Sequence, residues 1–234
     1  RKNMFWTLEL ASHLEDAPWP ATKDELIDYS IRSGAPIEVV ENLQELEDEG
    51  EIYESLEDIW PDYPSQEDFF FNELMPHVES KYRIKSEKKF RAISGLSMGG
   101  GGTFTYALHR LDLFSAAAPL SAATGSLNVE ESLERIKRYG IEFTRAEMEF
   151  LLKTNHPLEL IDNIPLKKLN SIRWFIDCGD DDYLYEDNSL IHIAFSKKGI
   201  NHEYRVRDGA HTWTYWRESL PKVLEFISMG FHQY

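Results

Sequence analysis

The sequence predicts an α/β fold with a parallel sheet, preceded by a small all-α domain. Three observations carry this prediction: an abrupt change in charge, helical periodicity before it, and apolar strands alternating with helices after it. Residues 1–73 contain 20 acidic and 4 basic side chains, whereas residues 74–234 contain 21 of each. Such a shift in composition marks a domain boundary. We place the helical domain at residues 1–64 and the α/β domain at residues 65–234.

The first domain has the sequence signals of short helices. Thr22 and Glu25 have the capping-box spacing at the start of one helix, and Gly34 follows its end. Pro36 is expected at the first position of the next helix, which would end near residue 50. The acidic faces of these helices are expected to be solvated, or to meet a basic partner. A further helix and a last helical turn are predicted over residues 6–14 and 56–60.

In the second domain, apolar strands alternate with helical segments, as is typical of a parallel sheet. Asp187 is expected to cap a helix that ends before Gly199. The long connection between residues 122 and 172 contains two more helical segments, in a position where an insertion often covers a site. The predicted strands are residues 90–94, 114–120, 173–178 and 203–207, and the predicted helices of the connection are residues 130–139 and 145–153.

Residues 95–99 read Gly-Leu-Ser-Met-Gly, which is the G-x-S-x-G pattern of a nucleophile elbow. An apolar strand precedes the pattern, and a glycine-rich helix start follows it. A serine on such a tight turn has a strained backbone and needs small neighbours. The turn would expose the hydroxyl of Ser97 and place the N–H of Met98 at a helix N-terminus, where it can bind a developing oxyanion. Seen alone, Ser97 is equally well explained as a turn residue.

An acid and a histidine follow in the chain order that an α/β-hydrolase requires. The run 180–182 consists of three aspartates after the strand 173–178, and His211 lies just beyond the last strand. Each group falls at the C-terminal end of a predicted parallel strand, where open α/β sheets build their sites. The aspartates are also compatible with a solvated loop or a weak Ca²⁺ site. Because no spaced EF-hand pattern surrounds them, we predict no metal.

Residues from about 65 to 234 resemble the C-terminal part of the esterase D family of α/β-hydrolases, a group with feruloyl and acetyl-xylan esterases and the related mycolyltransferases. The resemblance implies that Ser97 is the nucleophile, His211 the general base and acid, and Asp182, three residues after Gly179, the orienting carboxylate. It also implies hydrolysis of feruloyl or acetyl esters of plant polysaccharides through an acyl-enzyme, without a cofactor. The matching segments are residues 69–79, 95–100, 178–185 and 208–216.

The same resemblance implies features upstream of the elbow that differ here. A complete member of the family has several more strands there and a His-Gly loop that supplies a second oxyanion N–H. No His-Gly pair precedes Ser97 in this sequence. We therefore expect a truncated hydrolase with impaired activity, and an open sheet edge that favours self-association. The first domain resembles a small acidic bacterial domain of unknown function. Because residues 67–73 fit both parts equally well, we hypothesise that the chain is a chimera.

Composition excludes several other classes of function. The acidic excess opposes nucleic-acid binding, and no apolar run approaches the roughly 18–20 residues of a membrane span. The absence of a signal peptide from the start as given favours a cytoplasmic location. Cys178 is expected to be a packed apolar residue. Trp213, Tyr215 and Trp216 are expected mostly in the core, and Trp213 is also a candidate for binding substrate. The alternative function is a non-catalytic interaction protein that carries a hydrolase remnant.

Overall fold

The computed structural model describes residues 6–46, 50–60, 66–138, 140 and 142–232. The chain divides into two compact units, Arg1–Ser80 and Lys81–Tyr234. This division lies later in the chain than the boundary after residue 64 that the sequence indicates, and that boundary stays a prediction. Among the described residues, no helix has both the length and the apolar character that a membrane crossing requires.

The first unit is mainly helical, as predicted, and it also contains a two-stranded antiparallel ladder that the sequence analysis missed. The strands are β1 Ala21–Thr22 and β2 Ile52–Tyr53. Buried apolar side chains such as Leu14, Leu26 and Leu43 form its core. The helices are α1 Leu8–Ser12, α2 Lys23–Ser33, α3 Ile37–Gln44, α4 Leu56–Ile59, α5 Gln66–Asp68 and α6 Met75–Lys81, with a π-helix Phe69–Leu74 between the last two.

Four helix ends were predicted for α2 and α3, and two of them are confirmed. Thr22 and Glu25 form both hydrogen bonds of the capping box, which confirms the predicted start of α2. Gly34 ends α2 in the left-handed conformation with a φ of 74°. Pro36 was predicted to be the first residue of α3, but it lies directly before that helix. The helix ends at Gln44, earlier than the predicted end near residue 50.

The second unit contains a four-stranded parallel sheet with the order β3-β4-β5-β6, which confirms the predicted sheet. Its strands are β3 Ala92–Leu96, β4 Ala116–Leu120, β5 Arg173–Gly179 and β6 His202–Arg207. Its helices are α7 Met98–His109, α8 Val129–Lys137, α9 Arg145–Asn155, α10 Pro157–Asn163, α11 Leu166–Leu169, α12 Tyr185–Lys198 and α13 Trp213–Phe231. A 3₁₀ turn, Lys88–Phe90, precedes the first of these strands.

Helices cover both faces of the sheet, as parallel sheets require. Trp174 of β5 packs against Phe104 of α7 and Phe195 of α12. The next residue, Phe175, points to the opposite face and packs against Phe226 of α13. The alternation along β5 therefore places one aromatic cluster on each side of the sheet.

Two predicted element boundaries were wrong, one near the elbow and one near the acid loop, which we define as residues 180–184 between β5 and α12. The elbow strand begins two residues later than predicted because residues 88–90 form the 3₁₀ turn, and it continues to Leu96, directly before Ser97. Asp187 does not cap α12, which starts at Tyr185 after Leu184. The N–H of Leu184 donates instead to the carboxylate of Asp182, and the helix begins directly after the acid loop.

Candidate active site

Ser97 stands alone between a strand and a helix with a strained backbone. It follows the last residue of β3, precedes the first residue of α7, and has φ 56° and ψ −118°. Positive φ is uncommon for a residue with a Cβ atom and costs about 1–3 kcal/mol. The neighbouring chain holds this turn, because the Ser97 N–H donates to the carbonyl of Leu120 at 2.9 Å and the Ala123 N–H donates to the Ser97 carbonyl at 2.9 Å.

Three glycines around the turn are required by steric fit. A Cβ on Gly95 would lie 2.3 Å from the carbonyl oxygen of Gly99. Cβ atoms on Gly100 and Gly101 would lie 2.7 and 2.2 Å from the backbone oxygens of Leu120 and Ala123, respectively. Gly99 and Gly102, by contrast, have no neighbour within 4 Å of a built Cβ. The glycine-rich sequence therefore serves close packing at some positions and not at others.

The side chains of Ser97, His211 and Asp182 form a continuous hydrogen-bonded chain. His211 Nε2 lies 2.9 Å from Ser97 Oγ, and His211 Nδ1 lies 2.9 and 3.0 Å from the two carboxylate oxygens of Asp182. An ionised carboxylate only accepts hydrogen bonds, so the proton lies on Nδ1 and Nε2 is free to accept from the serine hydroxyl. The structure thus brings the three predicted catalytic side chains together in the tautomer that proton abstraction requires.

Only one of the three consecutive aspartates has this position. The carboxylate of Asp182 is buried and also accepts the N–H of Leu184 at 2.9 Å. Asp180 and Asp181 are exposed. Asp180 accepts the N–H of Gly209 at 3.1 Å. This hydrogen bond links the acid loop to the loop after β6, which carries His211.

Two glycines that the sequence analysis left without a role allow these loops to meet. A Cβ on Gly179 would lie 2.0 Å from the carbonyl oxygen of Gly209, and Gly209 itself has φ 143°. That same carbonyl accepts the N–H of Asp181 at 3.1 Å. The close contact between the backbones of residues 179–181 and Gly209 continues the pairing of β5 and β6 beyond the strands. It holds the two loops together where His211 contacts Asp182.

Two aromatic rings hold the imidazole of His211. Trp216 packs edge-on against it with ring centroids 4.7 Å apart, and Tyr183 packs at 4.6 Å from the other loop. The Trp216 Nε1–H donates to Ser121 Oγ at 3.0 Å within the core. Tyr215 and Trp216 are both buried, as predicted. The hydrogen bond of Trp216 to Ser121 links residues 95 positions apart, and nothing local in the sequence signals it.

A sequence family described as "Putative esterase" matches residues 48–227, well over half of the chain. The chain belongs to this esterase family. A second family, described as "Protein of unknown function (DUF2795)", matches residues 5–60 of the same chain. Both matches agree with the two resemblances found in the sequence. Membership of the esterase D branch, truncation and chimeric origin stay predictions.

Relatives of the chain include the acetyl esterase of Caldicellulosiruptor saccharolyticus, which is 23% identical over 170 residues, 69% of this chain and 63% of the relative. A solved ferulic acid esterase is 34% identical with a TM-score of 0.60, and the match covers 70% of this chain and 60% of that one. An S-formylglutathione hydrolase from Staphylococcus aureus is similar in fold, with 23% identity, a TM-score of 0.54 and coverage of 70% and 63%. The chain thus spans less than two thirds of the length of each of these relatives.

The remaining candidate residues, Met98 and Trp213, lie one and two positions after Ser97 and His211, and both are exposed, so Trp213 is not in the core as expected. Met98 is the first residue of α7, and its side chain is 84% exposed. Trp213 is the first residue of α13, is 62% exposed, and has its ring 5.4 Å from that of Trp216. Tyr183, which the sequence analysis did not single out, is 76% exposed beside His211.

Three exposed carboxylates lie close together, two in the acid loop and one in the loop that carries His211. Oxygens of Asp180, Asp181 and Asp208 all lie within 4.8 Å of one another. Exposed acidic groups of this kind are common without an ion, and Asp182 does not share in the cluster because its carboxylate is buried against His211. We assign no metal to these residues. Cys178 is buried, and burial raises the pKa of its thiol to about 12, which keeps it protonated.

Proposed function

We propose that this chain is a serine carboxylic-ester hydrolase that acts through an acyl-enzyme. The observation that carries the proposal is the hydrogen bond of 2.9 Å between Ser97 Oγ and His211 Nε2, with His211 Nδ1 bound to the buried carboxylate of Asp182. A hydroxyl, a neutral imidazole and a carboxylate in this order form a nucleophile, a base and the group that orients the base.

In the first half of the reaction, His211 Nε2 accepts the hydroxyl proton while Ser97 Oγ attacks the ester carbonyl carbon. The resulting imidazolium is stabilised by the Asp182 carboxylate on Nδ1. The imidazolium then gives its proton to the alkoxide oxygen as the ester C–O bond breaks, which releases the alcohol. Ser97 is left acylated.

In the second half, His211 acts on a water molecule. The imidazole accepts a proton from the water as its oxygen attacks the acyl carbon, and the tetrahedral intermediate forms again. Breakage of the bond to Ser97 Oγ releases the carboxylic acid, and the proton on Nε2 returns to the serine oxygen. The site is then restored.

The oxyanion of each tetrahedral intermediate needs donors, and we assign one of them. Met98 is the first residue of α7, so its N–H has no acceptor within the helix and lies at the positive end of the helix dipole. Loss of one donor typically costs about 2.7–4 kcal/mol, or about 10²–10³ in rate. Without a second donor, kcat would be lower by about that factor than in a site with two.

We propose acetyl or feruloyl esters of plant polysaccharides as substrates. The names of the acetyl esterase and the ferulic acid esterase among the relatives support the acetyl and feruloyl groups. Two exposed rings also support it, that of Tyr183 against His211 and that of Trp213 against Trp216, because flat aromatic surfaces stack on planar acyl groups and on sugar rings. Trp213 would then contact the substrate rather than the core.

Covalent labelling tests this proposal directly. The purified chain is treated with a fluorophosphonate probe and mapped by mass spectrometry, with Ser97→Ala as the control. Labelling at Ser97 that is lost in the control supports the proposal. A folded chain that is not labelled would refute it and would favour the interaction protein with a hydrolase remnant.

We also propose that copies of the chain associate through the edge of the sheet. Within the described residues, β3 pairs with β4 on one side only. The carbonyl of Arg91 and the N–H of Ser97 bond toward β4, so the groups of the alternate residues Ala92 and Ser94 face the open side. Unpaired strand edges are templates for pairing with another chain.

A further inference from the structure

Asn188 of α12 is completely buried, and its side-chain amide bonds to two separate loops. Nδ2 donates to the carbonyl of Ala122 at 3.0 Å, and Oδ1 accepts the N–H of Ala122 at 3.1 Å. Nδ2 also donates to the carbonyl of Leu184 at 2.8 Å. Because two carbonyls must both receive N–H groups, the orientation of the amide is fixed.

On one side, the amide supports the nucleophile turn. The strand β4 ends at Leu120, and the amide bonds the backbone of Ala122 just after the last contact of that strand with β5. The next residue, Ala123, donates its N–H to the carbonyl of Ser97 at 2.9 Å. A Cβ on Gly100 would lie 2.8 Å from the Ala122 Cα, so α7 rests directly on this segment.

On the other side, the amide supports the acid loop. Leu184, whose carbonyl accepts from Asn188, donates its own N–H to the carboxylate of Asp182 at 2.9 Å. The Tyr185 N–H donates to the carbonyl of Asp182 at 2.9 Å. A single residue, Leu184, therefore separates the amide of Asn188 from the carboxylate that orients His211.

We propose that Asn188 is a positioning residue that couples the nucleophile turn to the acid loop. This inference rests on the proposed function, because it assigns Asn188 a part in the same site. Ser97 and Asp182 lie on separate loops and must both reach one imidazole, so their spacing sets the two hydrogen bonds of His211. A misplacement of about 1 Å in such a site costs about 10²-fold in rate. Asn188 touches neither the substrate nor the reacting atoms.

Asn188→Asp tests the proposal with little change of shape. The aspartate keeps an acceptor for the Ala122 N–H and removes both donors. We expect kcat for p-nitrophenyl acetate to fall about 10²-fold with KM changed less than about twofold, and fluorophosphonate labelling at Ser97 to slow similarly. Asn188→Leu, which has similar size and no charge, is the second variant in case the buried aspartate prevents folding.

Ser219→Ala is the matched control. Ser219 is equally buried and donates to the Asp177 carboxylate at 3.0 Å, away from His211. Its loss is expected to lower the urea midpoint as the Asn188 variants do, and to leave kcat within about twofold of the wild type. A control that loses kcat as steeply as the Asn188 variants would show that general destabilisation explains the effect, and would overturn the proposal.

A second measurement separates this proposal from the proposed function. The proton between His211 Nδ1 and Asp182 gives a far-downfield ¹H NMR resonance that does not depend on turnover. We expect the resonance in the wild type and Ser219→Ala, and its loss or shift in Asn188→Asp. A wild type without hydrolysis or labelling would refute the esterase while the resonance still tests Asn188. A folded Asn188 variant with an unchanged resonance and unchanged kcat would overturn the coupling role.

Discussion

At Ser97, the backbone conformation and the room around it are coupled. The positive φ of the serine turns the chain back so sharply that Gly95 faces the backbone of Gly99. The turn therefore excludes a methyl group at one glycine and tolerates it at another a few residues away. This difference can be measured by paired substitutions.

Gly95→Ala is expected to destabilise the chain by about 1–3 kcal/mol, the usual cost of forcing atoms into a packed site. Its Cβ would lie 2.3 Å from the carbonyl oxygen of Gly99, which cannot move without opening the turn. Gly102→Ala, with open space around its Cβ in a helix interior, is expected to stabilise by about 0.5–1 kcal/mol. Urea unfolding measures both, and equal effects of the two substitutions would contradict the steric argument.

Asp182→Asn is expected to lower kcat on the order of 10⁴-fold, because an amide can donate to His211 Nδ1 and so favours the wrong tautomer. Asp181→Asn is the matched control, since that neighbouring side chain is exposed. Initial rates with an activated ester measure both variants. Loss of activity in Asp181→Asn but not in Asp182→Asn would show that Asp181, and not Asp182, orients His211.

Residues whose roles follow from local pattern were accessible from the sequence. Ser97 follows from a five-residue motif and His211 from its place after a strand, whereas the choice of Asp182 among three consecutive aspartates rested on the family resemblance. Asn188 and Trp216 were not accessible, because their polar partners lie 66 and 95 residues away along the chain. Such contacts depend on where folded loops meet, which periodicity and spacing do not encode.

The junction of α9 and α10 contains a buried histidine, His156. His156 Nε2 donates to the carbonyl of Gly125 at 3.0 Å, and Nδ1 accepts the N–H of Leu158 at 3.2 Å. Burial lowers its pKa, an effect that nearby Asp187 and Glu159 oppose and Arg135 strengthens. Protonation would also remove the acceptor for Leu158.

Because the pKa of His156 is lower in the folded chain than its ordinary value of 6.5, the unfolded chain binds the proton more readily. Its contribution to stability is therefore complete above pH 6.5 and is lost as the pH falls below that value. We expect the urea midpoint of the wild type to be lower at pH 5.5 than at pH 7.5. The decrease is expected to be smaller in His156→Gln. An equal slope in the variant would assign the pH dependence to other groups.

The ends of elements were less predictable than their presence. All four strands of the sheet were predicted, yet β3 lies two residues further along because a 3₁₀ turn occupies residues 88–90. The start of α12 was misplaced because Asp187 has the residue type of a cap, whereas the acid loop itself leads into the helix. Local preference selects the type of element, and contacts with the neighbouring chain set its ends.

For the whole molecule, the open edge of β3 predicts concentration-dependent association. Ala92→Pro removes an N–H that faces the open side and leaves the bonds toward β4 intact, so it should disfavour pairing between copies. We expect light scattering to show a larger species for the wild type than for this variant at micromolar concentration. Unchanged circular dichroism would show that the sheet persists, and a monodisperse wild-type monomer would refute the association.

The parallel order of the sheet has a consequence for the time at which the site forms during synthesis. Ser97 and His211 are joined by a hydrogen bond but lie 114 residues apart in the chain. At about 5–20 residues per second, the ribosome adds His211 roughly 6–23 s after Ser97. Throughout that interval the nascent chain carries its serine without the base that activates it, so it cannot hydrolyse an ester before its last strand is made.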